Sequence, residues 1–144
     1  MAINLDKFLE PSEIAGASGG VISRVFTVGV VVGDAVYQKS DGSVDKASAV
    51  SLVTAPAIGF VTALNTPSPG VAEVRVAADA SLFVGLTAGR LYILSKTVAG
   101  ILWVGDTLNP AYPSGPGNIV QTVGVALSAT TLLICASPAS FVET

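Results

Sequence analysis

The residues able to do chemistry in this 144-residue chain are few, and their surroundings decide what each can do. Gly16-Ala17-Ser18-Gly19-Gly20 spells the G-x-S-x-G pattern of hydrolase nucleophile elbows, where a sharp strand-to-helix turn presents the serine to a histidine base. The chain has no histidine, no strong strand precedes Ser18 and no helix-forming stretch comes after it, so Ser18 reads as a linker residue. Asp34, Asp41 and Asp45 gather around one Asp-Gly turn, and grouped carboxylates can act as acid and base or hold a hard cation. Asp41 belongs to the turn, Asp34 opens a strand and the EF-hand loop pattern is missing, so these carboxylates read as structural. Cys135, the sole thiol, lies in an apolar strand with no positive neighbour to lower its pKa, and a buried, inert thiol is expected. One cysteine makes no intrachain disulfide, and without histidine a Cys/His metal site lacks its ligands. Trp103 and Tyr112 are candidate sugar-stacking platforms, although single aromatics beside Gly and Pro more often pack under loops. The expectation is a protein with no catalytic, cofactor-binding or metal-binding residue, hence not an enzyme.

What remains is a scaffold, and its composition is unusual. Hydrophobic residues make up 51% and charged residues 12%. A membrane helix needs about 20 successive apolar residues, and every apolar run here is cut much sooner, as in Val28–Val32 between Thr27 and Gly33. Met1–Glu10 carries Asp6, Lys7 and Glu10 without a basic start or apolar stretch, which does not read as a secretory signal, so assembly in a cytoplasm and no membrane partner are expected. A net charge of −3, with seven dispersed basic residues, offers no dense cationic face, so no nucleic-acid partner is expected. Two long blocks, Ala47–Ala72 and Thr107–Val142, contain no charged residue. Large exposed apolar patches usually mark contact sites, so the blocks read as core plus subunit interface.

The local pattern is β throughout: Val, Ile, Thr, Phe and Tyr recur in short runs punctuated by Gly, Pro and Asp-Gly. Strands are predicted at Val21–Val32, Ala35–Lys39, Ser43–Ala47, Ala57–Leu64, Val71–Ala77, Ser81–Gly85, Arg90–Ser95, Ile101–Val104, Ile119–Ala126 and Thr130–Ala136. In Val71–Ala77 the alternation puts Ala72, Val74 and Val76 inward and Glu73 and Arg75 outward. In Thr130–Ala136 both faces are apolar, so both should be covered. Asp41-Gly42 between Tyr37 and Val44 predicts a hairpin, and the Pro/Gly stretches Asn65–Gly70 and Asn109–Asn118 predict loops. A faint repeat sets Gly33–Tyr37 and Ala57–Val61 against Gly89–Tyr92 and Thr122–Ala126. In each half a Gly-led strand bearing Tyr precedes an apolar strand with a central Gly, which suits a curled sheet or small barrel.

Met1–Gly20 differs in character from the rest of the chain and reads as an N-terminal arm on a β-domain spanning Val21–Thr144. Gly16–Gly20 would be its tether, and Ile3, Leu5, Phe8, Leu9 and Ile14 are the residues expected to meet a partner, since a free tail has no use for them.

The succession Gly-Asp-Ala-Val-Tyr, Asp-Gly, Ala-Ile-Gly-Phe-Val, Gly-Leu-Thr-Ala-Gly-Arg-Leu-Tyr-Ile-Leu-Ser (Gly85–Ser95) and Gln121–Ile134 resembles the small β-domains of tailed-bacteriophage virion proteins. In size and build it is most similar to the capsid decoration, or cement, proteins, over about Val32–Pro138. The resemblance implies an all-β, antiparallel, barrel-like or tulip-like domain with an extended arm. It also implies a homotrimer on the capsid exterior of the virion, with the major capsid protein as partner and the arm gripping the shell. Similar modules occur in tail fibres and baseplates, so a receptor- or glycan-binding role is the alternative.

Overall fold

The structure is a computed structural model that describes residues 20–65, 70–137 and 141–142. The described residues form twelve strands and no helix, as the scarcity of helix formers predicts. Five strands of the first half, β1 (Val21–Val25), β2 (Ala35–Gln38), β3 (Val44–Lys46), β4 (Gly59–Asn65) and β5 (Val71–Arg75), make a sheet in the order β1-β5-β4-β2-β3. The second half contributes β6 (Asp79–Ala80), β7 (Leu91–Leu94), β8 (Ile101–Trp103), β10 (Thr122–Ala126) and β11 (Leu132–Ile134), in the order β6-β11-β10-β7-β8. A small third pairing joins β9 (Ile119–Val120) to β12 (Phe141–Val142). Every ladder is antiparallel.

With β9 set aside, the two five-stranded sheets are copies of one plan. Ala35 faces Phe60 and Val36 faces Gly59 in the first, and Leu91 faces Val125 and Tyr92 faces Gly124 in the second. Phe60 and Val21 both oppose Arg75, just as Val125 and Asp79 both oppose Leu133. Bonds outside the ladders repeat too. Gly33 N–H donates to the Val61 carbonyl at 2.8 Å and Gly89 N–H to that of Ala126 at 2.7 Å. Val76 N–H reaches the Gly20 carbonyl, and Ile134 N–H reaches that of Ala78. The repeat legible in the sequence is therefore a structural duplication, with one adjustment: Tyr92 falls opposite the place of Val36, not of Tyr37. The central glycines have one cause in both halves, since a Cβ on Gly59 would strike the Arg75 carbonyl and one on Gly124 the Leu133 carbonyl.

The first sheet curls until its ends meet. Phe26, just past β1, forms an isolated parallel bridge with Val44 of β3, and Thr27 N–H donates to the Val44 carbonyl at 3.0 Å. One bridge is not a ladder, so the sheet is barrel-like in curvature and open in hydrogen bonding. Inside the curl lie Val30, Val36, Val44, Val61, Ala72 and Val74, all buried. A second core forms where the halves meet, with Ala35 and Phe60 from the outer face of the first sheet packed among Tyr92, Ala126, Leu132 and Ile134 of the second. The Phe83 ring meets Phe60 edge-on, 5.1 Å between centroids.

Four expectations need correction. The run Val21–Val32 is a strand only to Val25, because Gly29 (φ 100°) and Gly33 (φ 95°) let the chain turn back over its own sheet. Ser81–Gly85 is not a strand; β6 ends at Ala80 and the chain leaves to place Phe83 on Phe60. Ile119–Ala126 is divided at Gln121, whose side chain turns inward and whose flanking strands join different sheets. In β11 only Leu132 and Ile134 are covered, while Leu133 is 42% exposed and Cys135 is also exposed. The Asp41-Gly42 hairpin and the inward Ala72 and Val74 with outward Glu73 are found as expected.

Gln121 is fully buried and stitches the halves together. Its Oε1 accepts the Ala57 N–H at 2.7 Å, and its Nε2 donates to the carbonyls of Ala57 and Ser137, each at 2.8 Å. Gln121→Leu keeps the bulk and leaves the buried N–H and carbonyl of Ala57 without their partner, so it should destabilise the fold by about 3 kcal/mol. A fall in the urea midpoint measures this. Ala78 (φ 64°) and Ala99 (φ 63°) are the described non-glycine residues with positive φ, and they occupy the places of Gly20 (φ 68°) and Gly42 (φ 88°) in the other half. The left-handed conformation costs an L-residue more than glycine loses in chain entropy, so Ala78→Gly and Ala99→Gly should each raise stability by about 0.5–1 kcal/mol in the same assay.

Candidate interaction surface

The sequence-predicted chemical residues do not converge. Ser18, like the arm residues Ile3, Leu5, Phe8, Leu9 and Ile14, lies outside the described residues. Asp34 accepts the Val31 N–H at 2.9 Å, closing the turn that leads into β2. Asp45 accepts the N–H of its neighbour Lys46 at 2.7 Å. Asp41 takes both the Ser43 hydroxyl (2.6 Å) and the Ser43 N–H (2.9 Å), and these bonds hold its carboxyl below the ordinary aspartate value. Among the described residues no three His, Cys, Asp or Glu side chains come together as metal ligands, and no helix is long and apolar enough to cross a membrane.

Neither aromatic candidate is a free platform. Arg90 lays its guanidinium 3.7 Å from the centroid of the Trp103 ring, a cation–π contact, and Tyr112 is half-buried. Tyr112 belongs to a loop tied by Asn109, which accepts the Ala111 N–H at 2.9 Å and donates to Asp106 at 3.1 Å. Cys135, expected to be buried, stands exposed because it shares the outward face of Leu133.

A groove of about 370 Å³ opens between the β6–β7 loop and the β7–β8 turn and is lined by Leu82, Phe83, Leu86, Tyr92 and Ile101. Its one polar side-chain group, the Tyr92 hydroxyl, already accepts the Thr87 N–H at 2.9 Å. The walls hold no acid, amine or thiol. The groove suits apolar contact.

The surface does show a pattern that the sequence alone does not localise. Directly opposed residues in neighbouring antiparallel strands project from one face, so Leu91, Val125 and Leu133 form a row across the outside of the second sheet. Leu91 and Leu133 are exposed there and Val125 is half-buried. At the opposite half, the β1–β2 loop shows Val28, Val31 and Val32, Val28 being 95% exposed. Leu108 and Val53 add further exposed apolar surface within the two charge-free blocks. The signal for the loop was present in Gly29, which follows Val28, and Gly33, which follows Val32, but a run of Val favours a strand reading. No protein-family model matches this chain, and neither a curated protein nor a solved structure matches it.

The turn at Asp41 gives a pH test. A carboxyl held below its unfolded value stabilises the fold above the ordinary aspartate pKa of about 3.9, and that contribution is lost as pH falls through the lower folded value. Asp41→Ala should therefore lower the melting temperature near neutral pH, and the gap to the parent protein should shrink as acidification passes below the ordinary aspartate range. An equal gap at both ends of the range argues that the charge of Asp41 is immaterial.

Proposed function

We propose that this protein is a non-enzymatic structural component of a tailed-phage virion, a decoration protein that binds the outer surface of the capsid as a homotrimer. The observation that carries the reading is the combination of an all-β domain with broad uncharged surface, on which Val28 and Leu108 are each 95% exposed. An isolated monomer gains nothing from such exposure, whereas a lattice component uses it for contact. The motif resemblance to decoration proteins supports the reading independently. A receptor-binding tail module is less favoured, because Trp103 is engaged by Arg90 and Tyr112 is half-buried.

The mechanism is mass action. A ligand that binds the assembled lattice and not its dissociated subunits stabilises the lattice by its binding free energy. The apolar residues of Met1–Gly20 supply the grip in this reading, with the β-domain acting as the body.

Light scattering on the purified protein should give three times the chain mass, with little response to salt, since an apolar contact has few charge pairs to screen. Co-sedimentation with undecorated capsids should show binding. The double variant Phe8→Ala and Leu9→Ala removes about 2 kcal/mol of burial per side chain and should weaken capsid binding roughly a thousandfold. Unchanged binding by that variant would place the whole capsid contact on the β-domain. Failure of the parent protein to sediment with capsids would overturn the capsid reading.

A further inference from the structure

The duplication shows what one half of the chain does to the other, and what is left undone. In the first half the outward row that includes Ala35 and Phe60 is sealed by the second half. Phe83 packs on Phe60, and Ala99 bonds to the start of β2 and to the residue after β3, accepting the Ala35 N–H at 3.3 Å and donating to the Ala47 carbonyl at 2.7 Å. Ala35 and Phe60 are consequently 0% exposed. The equivalent positions of the second half are Leu91 and Val125, fixed by register, with Leu133 beside them in the place of Arg75. Among the described residues Leu91 and Leu133 stay exposed and Val125 half-buried, and the row ends at Asp79, where the sealed row carries its charge at Arg75.

The covering elements are unequal in the same sense. The β6–β7 loop, which carries Phe83, lies across the junction. Its counterpart, the β1–β2 loop, lies in a segment from Gly20 to Gly33 that is two residues longer than the equivalent Ala78–Gly89, turns Phe26 into its own half's core, and leaves Val28, Val31 and Val32 facing outward. Among the described residues one side therefore ends in a partly bare apolar row and the other in an exposed apolar loop, the two partners of a contact the chain has already made once internally.

We propose that the Leu91–Val125–Leu133 row seats the β1–β2 loop of a second copy of this chain, with Val28 at its centre. The contact is head-to-tail: each copy gives its first-half loop and receives another on its second sheet. Heterologous contacts of this kind close into rings when the rotation permits, and between copies the contact continues the packing of half on half within the chain, as in repeat proteins. The inference deepens the homotrimer part of the proposed function and stands apart from the capsid part, because it concerns the free protein.

The test uses Val28→Asp and Leu133→Asp in the full-length chain. Both residues are exposed, so far-UV dichroism should match the parent; Leu133→Asp sets a second carboxylate opposite Asp79, and should it fail to fold, Leu91→Asp replaces it. Each variant alone should lose self-association about a hundredfold, as expected when a charge replaces an apolar anchor at the centre of a contact. The decisive measurement is the mixture. Val28→Asp retains an intact row and Leu133→Asp an intact loop, so together they form one sound contact and should sediment as a 1:1 dimer that grows no further. A symmetric patch-to-patch contact predicts no rescue, and absence of a dimer in the mixture overturns the proposal. So does a parent trimer that both variants leave undisturbed, which would keep the trimer and reject this surface. A parent protein that is monomeric at all concentrations overturns both.

Discussion

The structure depends on a glutamine that behaves as a piece of backbone. Two curled sheets of the same plan have to be joined where strand-to-strand bonding has stopped, and at that seam the peptide groups of Ala57 would face a core without partners. The amide of Gln121 has the donor and acceptor of a peptide unit, and it pairs with Ala57 as a neighbouring strand would. Its remaining N–H holds the carbonyl of Ser137. The segment that feeds β4, the break between β9 and β10, and the tail after β11 are thus fixed by one side chain. A buried polar group is costly unless its hydrogen bonds are met, and those of Gln121 are met on both sides of its amide.

Duplication explains the arrangement of apolar residues better than a single core does. Each half has an inner face filled by its own strands, and the first half also has an outer face that the second fills. This is why β4 is buried on both sides at Phe60 and Val61, whereas β10 is covered inside at Ala126 and only half-covered outside at Val125. Small differences set the asymmetry. Two extra residues between Gly20 and Gly33 let Phe26 fold back onto Val44, while the shorter counterpart sends Phe83 across the junction.

How much of this was legible depends on the kind of signal each element leaves. Hairpins and half-buried strands announce themselves locally: Asp41-Gly42 marks its turn, and Glu73 and Arg75 alternating with Ala72 and Val74 mark β5 and its faces. The repeat was visible through its glycines, because backbone approach at Gly59 and Gly124 leaves no room for a side chain. The limits of the first strand were not legible, since a run of valines reads as strand whether or not the chain turns. The exposure of Leu133 and Cys135 was not legible either, because period-two alternation cannot distinguish a face covered by protein from one left bare. Gln121 gave no local sign at all; its partners lie 64 residues upstream and 16 downstream. For the candidate surface, the charge-free blocks indicated that a contact exists, and only the register of the strands gave it an address.

The strand order also governs how the chain is made. In each half the first strand pairs with the last, Val21 with Arg75 and Asp79 with Leu133, so neither sheet is complete until its final strand has left the ribosome. The first half then stands finished on its inner side while Phe60 is still bare, awaiting a phenylalanine that emerges only a few residues later. The second half must wait for nearly the whole chain before β11 arrives to join β6 to β10. Synthesis from the N-terminus thus delivers a partly sealed half-domain first, and the latest parts of the polypeptide carry the order of the whole.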